Sequence, residues 1–232
     1  EAIVRDLCGT QTTVMSLAPP GMCPGHFDIS PSQVRQLQGC RMLLLFDFQS
    51  QVASTLSRLK DKGLKMHLVK GRKGLCVPDS YLASCREVAA ILASEYPERV
   101  DALAGRIESI EQRLGALSGQ LRSAVADSGS VSAGVLTSHH QAEFAQWLGL
   151  ATVATFVGSD TETIASVDHC LKQAAGQDVR FVIANQQEGT ALAKALAERL
   201  KAQAVIFSNF PPQTHDVSGF DRLVRSNVER LL

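Results

Sequence analysis

The stretch PERVDALAGRIESIEQRLGALSGQLRSAVA, residues 97–126, decides how the rest of the chain is organised. Its apolar residues Val100, Leu103, Ile107, Ile110, Leu114, Leu117 and Leu121 recur at steps of three and four, the period of one helix face and not of a strand. Pro97 stands at the first helical position, where its missing N–H is no loss. One helix of this length runs about 45 Å at about 1.5 Å per residue, the width of a domain. The sequence on either side alternates between strand-like and helix-like segments. The expectation is therefore two α/β halves separated by one rod, with a ligand site where the halves face each other.

Composition narrows the function classes. At 232 residues the chain is long enough for one large domain or two lobes of about 100 residues. A hydrophobic content of 45% argues for a packed core and against disorder. Net charge is zero, so the chain carries no overall footprint of a nucleic-acid binder. The local exception is Arg58 to Lys73, with seven basic residues and one acid. A solvated helix end is the favoured reading there, ahead of an anion-binding or partner-docking face. No run approaches the ~20 apolar residues of a membrane span, and the start is not a signal peptide. Removal of an export signal upstream would leave a mature chain of this kind. The six cysteines form no CxxC pair. Disulfides and buried thiols both remain open for them, with Cys8–Cys40 the first candidate bridge.

In the first half, Thr12–Leu17 reads as a strand and Pro19–Asp28 as a loop. Ser30-Pro31-Ser32-Gln33 is a capping box that opens a helix. Arg41–Phe48 is an apolar run suited to a buried parallel strand. Val52–Lys62 reads as helix, Leu64–Val69 as strand and Gly71–Pro78 as loop, and Asp79 can cap a helix running to Glu95. After a turn at Asp127–Ser130, Val131–Thr137 reads as a strand. Ser138-His139-His140-Gln141 is a second capping box, and its helix stops at Gly149, a fitting C′ residue. Strands at Thr152–Val157, Val179–Ala184 and Ala204–Ser208 then alternate with helices at Thr161–Ala175, Gly189–Lys201 and Gly219–Leu232. This alternation implies parallel sheets with crossover helices. The expected fold is α/β: two lobes, each a parallel sheet flanked by helices, at 1–96 and 128–232, joined by a backbone helix at 97–127. A dimeric coiled coil competes for that helix. Gly105, Gly115 and Gly119 weaken it, and its flanking positions offer few charge pairs. Packing within a monomer is the favoured reading.

Ligands of open parallel sheets bind beyond the carboxyl ends of the strands. That rule selects the loops bearing Cys23 and His26, Cys76, His139 and His140, Asn185 to Glu188, and Ser208-Asn209 with His215 and Asp216 beyond. Four of the six histidines fall on this predicted rim, while His67 lies in a strand and His169 in a helix. Imidazole, thiolate and carboxylate together suit Zn²⁺ or Mn²⁺. His139 and His140, as neighbours at a helix start, point about 100° apart, so only one is expected to face a cleft. Enzyme motifs are missing: there is no GxSxG, HExxH or P-loop lysine motif, and no glycine fingerprint after a strand. A thiol-dependent enzyme pairing Cys23 or Cys76 with His139 is the remaining catalytic alternative.

Two segments resemble a known family. Ser16-Leu17-Ala18-Pro19-Pro20-Gly21 leads to His26, Phe27-Asp28-Ile29-Ser30-Pro31-Ser32 and Val34-Arg35-Gln36-Leu37. Ser138-His139-His140 leads through Phe144-Ala145 to Leu148-Gly149-Leu150. Together with Gly219-Phe220-Asp221-Arg222-Leu223 and Asn227, these resemble the TroA-like family, the solute-binding proteins of zinc and manganese ABC importers. The resemblance implies the two-lobed fold with a long joining helix, and export to the periplasm or anchoring outside the membrane. It implies an ABC permease as partner, a divalent metal ion (zinc, with manganese open) as cargo, and no enzymatic activity. It makes His26 the first ligand and His139 another.

Departures accompany the likeness. The strand that opens the family's first lobe is missing. Leu75-Cys76-Val77-Pro78-Asp79 stands where the family has D-P-H-x-W, with Cys76 nearest the ligand slot. Asn185 and Ser208-Asn209 stand where an acidic residue is usual. The spacing from His139 to Gly149 is one residue short, which aligns that slot with Ser138 or His139. Glu188 and His215 are candidate substitutes. With the ligand set altered, a cleft for a non-metal or chelated solute, or a non-transport accessory role, is the alternative within the same fold.

Overall fold

A computed structural model describes residues 1–18, 28–60, 63–131, 133–158, 164–211 and 217–232. Its contacts divide the chain into two units. The first gathers the described residues of Glu1–Arg72, Leu82–Ile110 and Gln213–Val217; the second gathers those of Lys73–Tyr81, Glu111–Pro212 and Ser218–Leu232. Among the described residues, no helix is long and apolar enough to cross a membrane.

In the first unit, α1 (Ala2–Cys8) precedes α2 (Pro31–Leu37), whose start is the predicted capping box: Ser30 Oγ accepts from Gln33 N and Gln33 Oε1 accepts from Ser30 N. Strands β1 (Met42–Phe46) and β2 (Lys65–Val69) pair in parallel, flanking the short helices α3 (Ser50–Thr55) and α4 (Ser57–Lys60). Leu17, Leu37, Leu43, Leu45, Val52, Leu56, Leu59 and Leu64 form the core. Thr12–Leu17 is not a strand. Carbonyls there are satisfied by side chains rather than a ladder: Arg5 donates to Thr12 O at 2.7 Å and Gln33 donates to Leu17 O at 2.7 Å. Cys8 and Cys40 are free thiols, so the candidate bridge is not formed. The basic stretch is partly neutralised, with Lys65 on Glu95 and Arg72 3.4 Å from Glu87.

Helix α5 (Pro78–Glu95) leads to a 3-10 turn at Pro97–Arg99 and then α6 (Val100–Asp127), 28 residues of continuous helix. Pro97 therefore opens the tighter turn rather than the α-helix itself. Leu103, Ile110, Leu114, Leu117, Leu121 and Val125 are buried along the helix, but Val100 is exposed at its first turn.

In the second unit, β3 (Gly134–Ser138), β4 (Ala151–Phe156), β5 (Val179–Asn185) and β6 (Gln203–Phe207) form one sheet of order β4-β3-β5-β6, with every pair parallel. Helices α7 (Ala142–Trp147), α8 (Ile164–Ala174), α9 (Ala191–Leu200) and α10 (Gly219–Glu229) complete it. The central strands read as apolar runs because both faces are covered. Val135, Leu136, Val182 and Ile183 are fully buried, each contributing about 1.5–3 kcal/mol of apolar burial. Gly149 ends α7 with φ +84°, the left-handed conformation a C′ glycine supplies. The stacked rings of Tyr81 and Phe220, centroids 3.9 Å apart, fix the start of α5 to α10.

Candidate functional site

Strand order turns at one place in the second sheet: the chain moves outward from β3 to β4 on one side and from β5 to β6 on the other. Loops leaving β3 and β5 diverge there, opening the crevice in which doubly wound sheets hold ligands. The β3 strand runs into a 3-10 turn at His139–Gln141, and β5 into another at Gln186–Glu188. His139 and His140 are exposed on the first turn. His140 Nδ1 contacts Glu188 Oε1, joining the two loops. The hydrogen bond from His140 to the Glu188 carboxylate raises the His140 pKa above its ordinary value, against the opposing effect of desolvation. Burial by itself would raise the Glu188 carboxyl, but its bond and charge contact with His140, with Asn185 and Ser138 nearby, hold it below the usual value.

The capping box expected at Ser138–Gln141 does not form. Ser138 makes no side-chain cap, because Gln141 turns into a buried amide network instead. Gln141 Nε2 donates to Asn209 Oδ1 at 3.0 Å and to Asn185 Oδ1 at 3.4 Å. Asn209 N donates to Gln187 Oε1, and Gln187 Nε2 to Ser208 Oγ. Asn227 closes the network, accepting from Ser208 N and donating to Ser208 O, both at 2.9 Å. Gln141, Gln187 and Asn227 were not singled out as site residues from sequence. Each had a weaker signal: Gln141 as a cap, Gln187 within the selected loop Asn185 to Glu188, and Asn227 within the family resemblance.

Cys76 belongs to this network. Its side chain is fully buried, with Sγ 2.9 Å from Ser208 O and 3.3 Å from Asn209 Oδ1. Burial pushes the thiol far above its ordinary pKa, opposed only by the Asn227 amide. In this setting Cys76 is a neutral hydrogen-bond donor, unsuited to act as a nucleophile or as an ionised ligand. The two positions aligned with altered ligand slots, Cys76 and Asn209, thus meet as an uncharged pair.

Of the other candidates, Cys23, His26, His215 and Asp216 lie outside the described residues. His67 sits on β2 with Nε2 3.3 Å from Glu95, and His169 is exposed on α8. Among the described residues, no three His, Cys, Asp or Glu side chains are grouped to hold a metal ion. A groove of about 580 Å³ lies along the β6 edge, lined by Gln186, Thr190, Ala204 to Ile206 and Arg230, with no histidine, cysteine or carboxylate among its described residues.

Parallel α/β units, a continuous 28-residue helix and a polar rim at a strand switch point define the TroA-like class of solute-binding folds. The chain belongs to the ZnuA family, described as zinc-uptake complex component A, periplasmic, whose model matches residues 1–232. Solved structures share the fold. A ZnuA structure aligns with TM-score 0.76 at 14% identity, over 98% of this chain and 94% of its own. The Cd-bound periplasmic metal-binding protein of Candidatus Liberibacter asiaticus aligns with TM-score 0.80 at 12% identity, over 99% and 94%. The laminin-binding protein Lbp of Streptococcus pyogenes aligns with TM-score 0.78 at 13% identity, over 99% and 92%. No curated protein matches the sequence.

Proposed function

We propose that this chain is the extracytoplasmic solute-binding component of an ABC importer, and that its cargo is a divalent transition metal ion, zinc or manganese. The observation that carries this reading is the contact of His140 with Glu188 at the switch point between β3 and β5, on the same exposed turn that bears His139. Neutral imidazole and carboxylate are the groups such ions select. His26, which the family resemblance makes a ligand, adds a further imidazole, and His215 is a sequence-based candidate for another. The zinc-uptake description of the family and the Cd- and Mn-bound relatives support a divalent ion. The role is binding and delivery to a permease rather than catalysis. Because imidazole must be unprotonated to ligate, affinity rises with pH until His140 is released from its ion pair with Glu188.

Chelator-stripped protein tests this. Zinc or manganese at about 100 times Kd stabilises the fold by about 2.7 kcal/mol, so either ion is expected to raise Tm, and His26→Ala and His139→Ala to remove the shift. An unmoved Tm with both ions removes the metal from the reading.

The uncharged Cys76–Asn209 pair favours a second reading within the same fold, capture of a non-metal or chelated solute, or an accessory role. Its signature is a Tm insensitive to free metal together with retained binding to a permease.

A further inference from the structure

We infer that Asn209 is a positioning residue: it brackets the two rim turns, that of His139 and His140 and that of Glu188, before any cargo arrives. Asn209 is buried and is reached from three segments. Its Oδ1 accepts from Gln141 Nε2 at 3.0 Å and from the Cys76 thiol at 3.3 Å. Its backbone N donates to Gln187 Oε1 at 3.0 Å. Gln141 ends the turn that bears His139 and His140, and Gln187 precedes Glu188 on the other turn. The bracket is itself anchored. Gln187 Nε2 donates to Ser208 Oγ at 3.0 Å, and Asn227 of α10 holds both the N–H and the carbonyl of Ser208.

Donor and acceptor chemistry separates this role from ligation. An amide oxygen has two lone pairs, and an amide nitrogen only donates. Gln141 and Cys76 take both lone pairs of Asn209 Oδ1, which leaves it none to offer a cation. Every member of the bracket is an uncharged amide, hydroxyl, thiol or backbone group, so neither a cation nor a titrating proton is needed to form it. Groups that orient ligands in this way change metal affinity by about 10–100-fold without touching the ion. This deepens the metal-capture reading and rests on it only for the affinity, since the holding of the two turns is a property of the metal-free protein.

Two readouts on the full, chelator-stripped chain keep the claims apart: the NOE between the His140 ring and the Glu188 side chain in metal-free protein, and Zn²⁺ affinity by titration calorimetry. Wild type is expected to show the NOE. Asn209→Ala is expected to lose it and to weaken Zn²⁺ at least about tenfold. Asn209→Asp keeps Oδ1 as the acceptor, and is expected to retain the NOE and to bind Zn²⁺ at least as tightly as wild type. If Asn209→Ala does not fold, Gln141→Met removes the same hydrogen bond from its other end and is read in its place. An NOE that is absent from wild type, survives in Asn209→Ala or is lost in Asn209→Asp overturns the bracket, whatever the affinity. A smaller loss of Zn²⁺ affinity in Asn209→Ala also overturns it, and leaves the proposed function standing. Absence of Zn²⁺ binding by wild type removes zinc from the proposed function, and the NOE alone then decides the bracket.

Discussion

Replacing Cys76 by Ala tests the electrostatic character of the altered rim, because the thiol is buried, neutral and surrounded by amides. At pH 7 the substitution removes one hydrogen bond and leaves a small cavity. Asn209 Oδ1 keeps Gln141 and Ser208 O keeps Asn227, so no acceptor is orphaned and the cost is about 1–2 kcal/mol. The pH dependence is more informative. An unfolded cysteine titrates near 8.5, whereas burial holds the folded thiol protonated well above that. A raised folded pKa gives stability that is full below the unfolded value and falls as pH climbs from it towards the folded value. By pH 10 the wild type loses about 2 kcal/mol this way, at about 1.36 kcal/mol per pH unit, and Cys76→Ala has no such loss. The stability gap between the two, from urea melts under reducing conditions at pH 7 to 10, is expected to close to near zero, with other titrations cancelling in the difference. A gap that stays constant refutes the reasoning: it means that Cys76 ionises in the folded protein and is available as a ligand or nucleophile.

Further outcomes follow from the same rim. A Cβ on Gly158 would stand 2.4 Å from Glu188 Cβ and 2.7 Å from Glu188 O, so Gly158→Ala is expected to cost about 1–3 kcal/mol in urea melts and to weaken metal binding by displacing Glu188; a change below about 0.5 kcal/mol would show that the loop yields freely. Glu188→Gln is expected to lower the His140 pKa measured by NMR, since the Glu188 hydrogen bond is the largest cause of its elevation. The wild-type pair contributes only where Glu188 is ionised and His140 protonated, from above the lowered carboxylate value up to the raised imidazole value, and that contribution disappears as pH rises through the latter. An unchanged His140 titration in Glu188→Gln would show that the contact is not formed in solution.

What could be read in the sequence is what local periodicity records. The three-and-four spacing from Leu103 to Leu121 marks α6, and apolar runs such as Phe181–Ala184 mark a strand buried on both faces. The capping box at Ser30 formed because Gln33 can serve both partners at once, Oε1 accepting from Ser30 N while Nε2 donates to Leu17 O. The similar pattern at Ser138 did not, because Asn185 and Asn209 from later strands offer Gln141 a buried alternative. That competition depends on a sheet order no local pattern encodes. The Thr12–Leu17 reading failed for a related reason: strand propensity needs a ladder partner, and side chains of Arg5 and Gln33 satisfy that backbone first. Cys76 could be placed on the rim by its position after β2, but its neutrality follows from burial against Ser208 and Asn227, residues 132 and 151 positions away.

Anomalous scattering at the zinc edge from crystals grown with Zn²⁺ shows whether the switch point holds the ion. One strong peak is expected about 2.0–2.1 Å from an imidazole of the His139–His140 pair and about 2.0–2.2 Å from Glu188. A peak only at His67 or His169, or no peak at the switch point between β3 and β5, would contradict the proposed site.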